Sequence, residues 1–252
     1  MMFVLRGGDG SRGGQGGEVR LKLYLSMLWL ASGPPHDTTH PAYSWARLLG
    51  LDDPDGNGKR RVLDAIDWLD ANAFLERRST PGKPATVRLL SDSGTGEPYT
   101  KPAGTVGGRP TYRKLEPTWW TNGWLATLSG AAVTIFLAYR NAAGNMRGPP
   151  PWITPSVTKN RYGMSNDTRQ KGLRELRDWG LITAHRSRQR EAFGSDRTIA
   201  RYALNLDRLA TAPTDTNLLL TRLGPAIERA SKDLASPGST GHRNSGSVEV
   251  GG

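Results

Sequence analysis

The sequence of 252 residues contains no cysteine. Disulfide bonds, thiol catalysis and zinc sites with cysteine ligands are therefore excluded. A secretory signal is missing too, because residues 7–17 are mostly glycine and polar residues and form no apolar segment after a charged one. The absence of cysteine leaves the compartment open, and the N-terminal segment predicts a cytoplasmic protein.

Long hydrophobic runs are also missing. The most apolar stretch, from Trp124 to Tyr139, contains Thr, Ser and Gly. It is shorter than the roughly 20 residues that a membrane-spanning helix needs. The stretch therefore predicts a buried core helix, and we expect no membrane partner.

Acidic residues are in the minority. The chain has 34 Lys and Arg residues against 23 Asp and Glu residues, which gives a formal net charge of +11 and a pI near 10.2. Such a balance favours an acidic polymer as the partner, either nucleic acid or an anionic surface.

Segments rich in Gly, Pro, Ser and Thr divide the chain into blocks. Near the C-terminus, Leu219, Leu223 and Ile227 recur at helical spacing. The predicted organisation is a flexible leader at 1–18, a first domain at 19–90, a linker at 91–111, a second domain at 112–209, a C-terminal helical segment at 210–235 and a disordered tail at 236–252.

Hydrophobic periodicity and turn residues predict helices followed by a hairpin in both blocks. The first block predicts helices at Val19–Ala31, Ser44–Leu49 and Lys59–Asn72, and strands at Phe74–Arg78 and Ala85–Leu90. The second block predicts a strand at Tyr112–Leu115, helices at Ser129–Asn141, Pro155–Arg161 and Asn166–Trp179, and strands at Leu181–Arg186 and Arg197–Leu204. Ser165 is the predicted N-cap of the last helix.

The two blocks match each other at an offset of 107 residues, so that Ile66 corresponds to Leu173. Two apolar residues three apart anchor one helix face to a core. A small residue four positions later ends the helix, and an apolar pair begins a strand. The matched residues are Ile66, Leu69, Ala73, Phe74 and Leu75 in the first block and Leu173, Leu176, Gly180, Leu181 and Ile182 in the second.

The run from Ser165 to Ile182 resembles the recognition helix and first wing strand of bacterial winged helix-turn-helix proteins. The first block resembles the same pattern more distantly, and the tandem layout is similar to that of two-winged-helix plasmid replication initiators. The resemblance implies an α+β fold of two tandem winged helix-turn-helix domains. Arg169 departs from the pattern, which usually has a buried aliphatic residue there.

The resemblance implies that the helix at 165–179 enters the major groove of DNA. Asn and Gln can pair with adenine, and Arg and Lys with guanine. The candidate DNA contacts of this helix are Ser165, Asn166, Thr168, Arg169, Gln170, Lys171, Arg174 and Arg177. The candidate backbone contacts of the wing are Arg186, Arg188, Arg190 and Arg197.

The first block carries fewer unambiguous candidates. Its candidate DNA contacts are Lys59, Arg60 and Arg61 at the start of a helix, with Arg77, Arg78 and Lys83 in the proposed wing. Asp64, Asp67 and Asp70 on the same helix would repel phosphate if they faced it. The block therefore either binds DNA less tightly or pairs protomers in a homodimer.

Other chemistries were weighed against this interpretation. Asp53, Asp55, Asn57 and Asp64 have the ligand spacing of a calcium loop, but Lys59, Arg60 and Arg61 would repel the ion, and a capped turn is favoured. Trp119, Trp120 and Trp124 could stack on single-stranded bases, although packing is favoured. No enzymatic motif is visible, so we expect no enzyme, no cofactor, no metal ion and no small-molecule ligand.

The residues thus predict a sequence-specific protein that binds double-stranded DNA and is associated with the nucleoid in the cytoplasm. The resemblance favours replication initiation or maintenance of a plasmid or mobile element. A transcriptional repressor of the same architecture is the first alternative. A protein-interaction module that uses winged helices is the alternative from another class.

Overall fold

The structure is a computed structural model that describes residues 15–102, 105–106, 109–110, 112–144, 149–190 and 196–214. Within these residues the chain forms eight α helices, one 3-10 helix and three small antiparallel sheets, so that the α+β class is confirmed. Residues 1–14 of the predicted leader and the predicted helix and tail beyond residue 214 lie outside the described residues. The leader prediction is wrong for residues 15–18, which belong to the first helix.

Residues 15–102, called here the first half, contain three helices and three strands. These are α1 (Gln15–Leu30), β1 (Asp37–Thr39), α2 (Ala42–Leu48), α3 (Asn57–Ala71), β2 (Leu75–Arg78) and β3 (Thr86–Leu89). Strand β3 lies between β1 and β2 and pairs antiparallel with both. Strand β1 was not predicted, because three polar residues carry no apolar alternation and only the pairing with β3 makes them a strand.

Helix α1 is buried on most of its surface, as its sequence predicts. Leu21, Leu23, Tyr24 and Met27 have no exposed area although they point in different directions around the helix. Lys22 is only 2% exposed and forms an ion pair of 2.8 Å with Glu18. An interior helix of this kind must be covered by neighbours on all sides.

The predicted linker folds back against the first half over part of its length. Ser91 N donates to Glu97 O at 2.8 Å, and the ring of Tyr99 lies edge-on to His36 at 5.1 Å. Two further short strands, β4 (Thr105–Val106) and β5 (Arg109–Pro110), pair antiparallel with each other. The strand predicted at Tyr112–Leu115 is wrong, since no strand pairs with these residues.

Residues 112–214, called here the second half, contain five α helices and a long hairpin. These are α4 (Thr118–Thr121), α5 (Trp124–Thr127), α6 (Gly130–Ala142), α7 (Pro155–Tyr162), α8 (Asn166–Asp178), β6 (Ile182–Arg190), β7 (Asp196–Leu204) and a 3-10 helix (Leu206–Ala210). The apolar stretch that begins at Trp124 is divided between α5 and α6. Among the described residues, no helix has both the length and the apolar character needed to cross a membrane.

The buried apolar residues of the two halves form one continuous cluster. Helix α1 makes the connection, because Glu18 Oε2 accepts a hydrogen bond of 2.9 Å from Gly130 N at the start of α6. Trp120 stacks on Trp29 at 4.7 Å and donates to Ser26 Oγ. With Trp119 and Trp124 buried as well, the prediction that the tryptophans pack rather than stack on bases is confirmed.

Candidate nucleic-acid interface

A three-residue turn joins α7 to α8 and fixes where α8 begins. Gly163 ends α7 with φ of 65°, a left-handed conformation that glycine adopts without steric cost. Ser165 then caps α8, since its Oγ accepts a hydrogen bond of 3.2 Å from Thr168 N. The predicted N-cap is confirmed, and α8 starts one residue later at Asn166.

Two contacts with α6 fix the rotation of α8 about its axis. A Cβ atom on Gly172 would lie 2.9 Å from the backbone of Ala131, so that the two helices can approach this closely only because residue 172 has no side chain. One turn later, the Glu175 carboxylate accepts hydrogen bonds from both the amide and the hydroxyl of Ser129. Leu173 and Leu176 face inward as predicted.

One exposed flank of α8, next to the inward face, carries polar and cationic side chains. Asn166, Gln170, Arg174 and Arg177 are all exposed, and their spacings of four, four and three residues place them along one side of the helix. We call these four residues the α8 stripe. No residue of the stripe is acidic, and neither arginine forms an ion pair with any described residue.

The remaining candidates on α8 lie outside the stripe. Lys171 is exposed but pairs with Asp167 at 2.8 Å, so its charge is locally balanced. The hydroxyls of Ser165 and Thr168 bind each other at 2.9 Å, and Thr168 is half-buried. These residues are better placed to secure the start of the helix than to read a base.

Arg169 is the one candidate on α8 that the structure buries, which does not favour the predicted DNA contact. Its side chain is only 6% exposed, and one guanidinium nitrogen donates to Ile153 O at 3.1 Å. The reason is geometric, because residue 169 shares the inward face with Leu173 and Leu176 at helical spacing. The corresponding residue of the first half, Val62, is fully buried.

Hairpin β6–β7 extends well beyond the core. The nine pairs of its register run from Ile182 opposite Leu204 to Arg190 opposite Asp196. Arg186 and Arg188 are exposed and form no ion pair with a described residue. Because alternate residues of a strand face the same side, they share one face of the hairpin. Among the predicted wing residues, Arg190 and Arg197 also lie within its strands.

Two cations of α7 were missed by the sequence reasoning. Lys159 and Arg161 are exposed on the helix that precedes the turn, and neither forms an ion pair within the described part of the chain. The signal was present in the sequence, since both belong to a helix already predicted to pack beside α8. They add positive charge next to the start of the α8 stripe.

The cations predicted to bind DNA at the start of α3 lie beside a helix N-terminus that is already capped by a carboxylate. Asp53 already occupies this helix N-terminus, because its carboxylate accepts hydrogen bonds from Gly56 N at 3.1 Å and from Asn57 N at 2.7 Å. Lys59, Arg60 and Arg61 occupy the first turn, where the helix dipole favours anions rather than cations. A phosphate at this end would have to compete with the Asp53 carboxylate.

The predicted wing of the first half is largely neutralised by acidic residues. Arg77 pairs with Asp67, and Arg78 pairs with Glu76 at 3.0 Å. The hydrogen bond from Arg78 holds the pKa of Glu76 below its usual value. Lys83, in the turn between β2 and β3, is exposed and forms no ion pair with a described residue. This hairpin therefore presents much less free positive charge than β6–β7.

The calcium-like spacing of the first half is used for other contacts. Asp53 caps α3, as described above, and Asp55 pairs with Arg47 at 3.0 Å. Within the described ranges, no group of three or more His, Asp or Glu side chains is arranged to hold a metal ion. The carboxylates thus act here as caps and ion-pair partners.

Known proteins were compared with the chain at the level of family, sequence and fold. No protein-family model, no curated protein and no solved structure matches it. The function of the chain must therefore be inferred from its own residues. Of the surfaces described above, the α8 stripe with the adjoining hairpin has the most unpaired positive charge.

Proposed function

We propose that this chain binds double-stranded DNA at specific sequences, with α8 in the major groove and hairpin β6–β7 on the backbone. The α8 stripe is the observation that carries the proposal. Two amides and two arginines lie along one exposed side of a helix whose rotation is fixed by Gly172 and Glu175. A fixed helix can present hydrogen-bonding groups to base edges in one register.

We further propose that each half is a winged helix-turn-helix domain. In the first half, the element order helix, strand, helix, helix, strand, strand with sheet order β1-β3-β2 supports this assignment. In the second half, Pro151 takes the place of a first strand, because its carbonyl accepts a hydrogen bond of 3.4 Å from Tyr202 N in β7. The short turn at 163–165 is typical of a helix-turn-helix.

Each group of the interface has a defined role in this proposal. Asn166 and Gln170 offer the paired donor and acceptor that adenine requires, and Arg174 offers a bidentate donor to guanine. Arg186 and Arg188 bind phosphates, which positions the protein but specifies no base. The first half, whose hairpin arginines Arg77 and Arg78 are paired with acids, supports the interface rather than reading a second site.

The cellular role follows from the resemblance to two-winged-helix initiators alone. We propose replication initiation or maintenance of a plasmid or mobile element, with transcriptional repression as the alternative for the same interface. Both roles require the same DNA contacts. The test of the interface therefore comes first.

Selection from a random duplex library at about 0.15 M salt tests the proposal. The wild type should enrich one sequence motif. The Asn166→Ala/Gln170→Ala/Arg174→Ala variant should lose the motif but keep weak, salt-sensitive binding, because the hairpin arginines remain. As a control, Lys59→Ala/Arg60→Ala should enrich the wild-type motif. If the wild type enriches nothing, sequence-specific binding is refuted and a protein partner becomes the better hypothesis.

A further inference from the structure

A cleft of about 490 Å³ opens between the start of α7, the start of α8 and strand β7. Trp152 and Ser156 line it on one side, Gln170 on another, and Ile199 and Tyr202 along β7. Its volume lies within the range of pockets that hold small molecules. Most of the lining is apolar or uncharged, and Arg169 is the only charged residue among the described residues that line it.

The Arg169 guanidinium has no acidic partner in the described structure. One of its nitrogens donates to the Ile153 carbonyl, while its Nε is buried and makes no hydrogen bond. No described Asp or Glu forms an ion pair with Arg169, although the residue is only 6% exposed. Burying an uncompensated cation is strongly unfavourable unless something else balances its charge.

The position itself does not require a charged residue. The corresponding position in the first half is Val62, and the neighbouring inward positions hold Ile66 and Leu69 where the second half has Leu173 and Leu176. An aliphatic side chain would thus fill the same site in a purely structural role. Burying the Arg169 cation at this position is expected to lower the stability of the fold. A negatively charged ligand that pairs with Arg169 would explain why an arginine is present there.

One further feature of the cleft wall favours a negative charge. The N-terminal turn of α7, where Thr154 Oγ1 accepts a hydrogen bond of 3.2 Å from Val157 N, places the positive end of the helix dipole at the cleft wall. Close to the guanidinium lies Tyr139. Burial raises the pKa of the Tyr139 phenol, and the neighbouring Arg169 opposes that increase.

We propose that this cleft binds a small carboxylic acid whose carboxylate pairs with Arg169 and whose apolar or aromatic body lies against Trp152 and Ile199. A single negative charge matches the single cation, and Trp152, which is 37% exposed, offers an open aromatic face. The site stands independently of DNA binding. Because Gln170 belongs to both the cleft and the α8 stripe, regulation of DNA binding by the ligand is a consequence that rests on the proposed function.

Benzoate is a suitable probe because it joins a carboxylate to an aromatic ring. The full-length chain is titrated with benzoate up to about 10 mM, and the NMR signals of its backbone amides and indole groups are recorded. The signals of Trp152, Ser156 and Thr198 should shift together and saturate. Benzamide, which has the same ring without the charge, should bind at least tenfold more weakly. Equal binding of both probes, or no saturable shift with benzoate, would overturn the proposal.

Variants separate the ligand site from the fold. Arg169→Val restores the residue type of the first half and should keep the folded spectrum while weakening benzoate binding at least tenfold. Arg169→Lys should recover part of the affinity. Thr198→Tyr, at an exposed position on β7, should fill the cleft and abolish binding without touching the core.

Titration with inorganic phosphate and binding to duplex DNA test whether the cleft receives a DNA phosphate instead of a carboxylate. If the same signals shift with phosphate alone and not with benzoate, the cleft receives a DNA phosphate and the carboxylate proposal fails. If benzoate binds but the chain selects no DNA sequence, the ligand site is supported while the proposed function is not. The two failures are therefore distinguishable.

Discussion

Helices α3 and α8 occupy corresponding places in the two halves, but they present different charges to solvent. At the offset of 107 residues, the stripe residues Asn166, Gln170, Arg174 and Arg177 correspond to Lys59, Leu63, Asp67 and Asp70. Both arginines are thus replaced by aspartates in the first half. A phosphate facing these positions would be attracted by the two arginines and repelled by the two aspartates. The proposed DNA interface is therefore assigned to the second half.

The two hairpins differ in the same direction. Strands β2 and β3 have four residues each, and Arg77 and Arg78 of β2 are paired with acids. Strands β6 and β7 have nine residues each, and Arg186 and Arg188 are exposed without a described acidic partner. Because β6–β7 is longer and Arg186 and Arg188 have no described acidic partner, it is the hairpin that we expect to contact the phosphate backbone of DNA.

The inward-facing leucines of the two helices, by contrast, correspond to each other. Leu69 and Leu176 correspond to each other and are both fully buried. We expect Leu69→Ala and Leu176→Ala each to lower the free energy of unfolding by about 2–5 kcal/mol, because each leaves a cavity in the core. Urea denaturation measures the loss.

The same experiment tests whether the two halves behave as one unit. Because the buried apolar residues form one continuous cluster, both variants should unfold in a single transition. Two separate transitions in either variant would show that the halves are independent, and the comparison would then be one between separate domains.

Helices α3 and α8 also differ at the corresponding buried positions Ala65 and Gly172. Gly172→Ala should lower the free energy of unfolding by about 1–3 kcal/mol, since the added Cβ would meet the Ala131 backbone and push α6 and α8 apart. Ala65→Gly should cost only about 1 kcal/mol through helix propensity. A stabilised Gly172→Ala protein would contradict the close approach of the two helices.

The salt dependence of DNA affinity tests the difference between the two hairpins. Arg188→Ala should reduce the slope of log affinity against log salt concentration by about one, the value expected for one lost phosphate contact. Arg78→Ala, at an exposed arginine that is paired with Glu76, is the matched control and should leave the slope unchanged. Affinity for one duplex at several salt concentrations gives both slopes, and equal changes would place both hairpins on the DNA.

Asp67→Asn should have the smallest effect. It removes the ion pair with Arg77, which is partly exposed, and we expect a loss of about 0.2–1 kcal/mol in the free energy of unfolding. Thermal denaturation of the variant beside the wild type checks this value. A loss several times larger would mean that this ion pair organises the first half.

Much of the second half could be predicted from sequence because its signals are local. Ser165 as N-cap, the inward pair Leu173 and Leu176 and the hairpin after Gly180 all follow from spacings within about twenty residues. Strand β1 was missed because its pairing partner lies about fifty residues away. The strand predicted at Tyr112–Leu115 was wrong because alternation alone supplies no partner.

The candidate site was predictable in type but not in detail. Arg174, Arg177, Arg186 and Arg188 are exposed as expected. The inward position of Arg169 was signalled by its spacing from Leu173 and Leu176, but the residue type favoured a DNA contact instead. The sequence could not show which cations are paired. The partners of Arg77 and Arg78 emerge only when β2 folds against α3.

The most direct test of the account is the DNA affinity of two variants that each remove two positive charges. Arg174→Ala/Arg177→Ala alters the α8 stripe, and Lys59→Ala/Arg60→Ala alters the corresponding region of α3. We expect the first to weaken binding to the selected duplex at least tenfold and the second less than about threefold, because a base contact contributes about 1–3 kcal/mol. Equal losses would show that binding depends on total charge alone and would contradict the α8 interface.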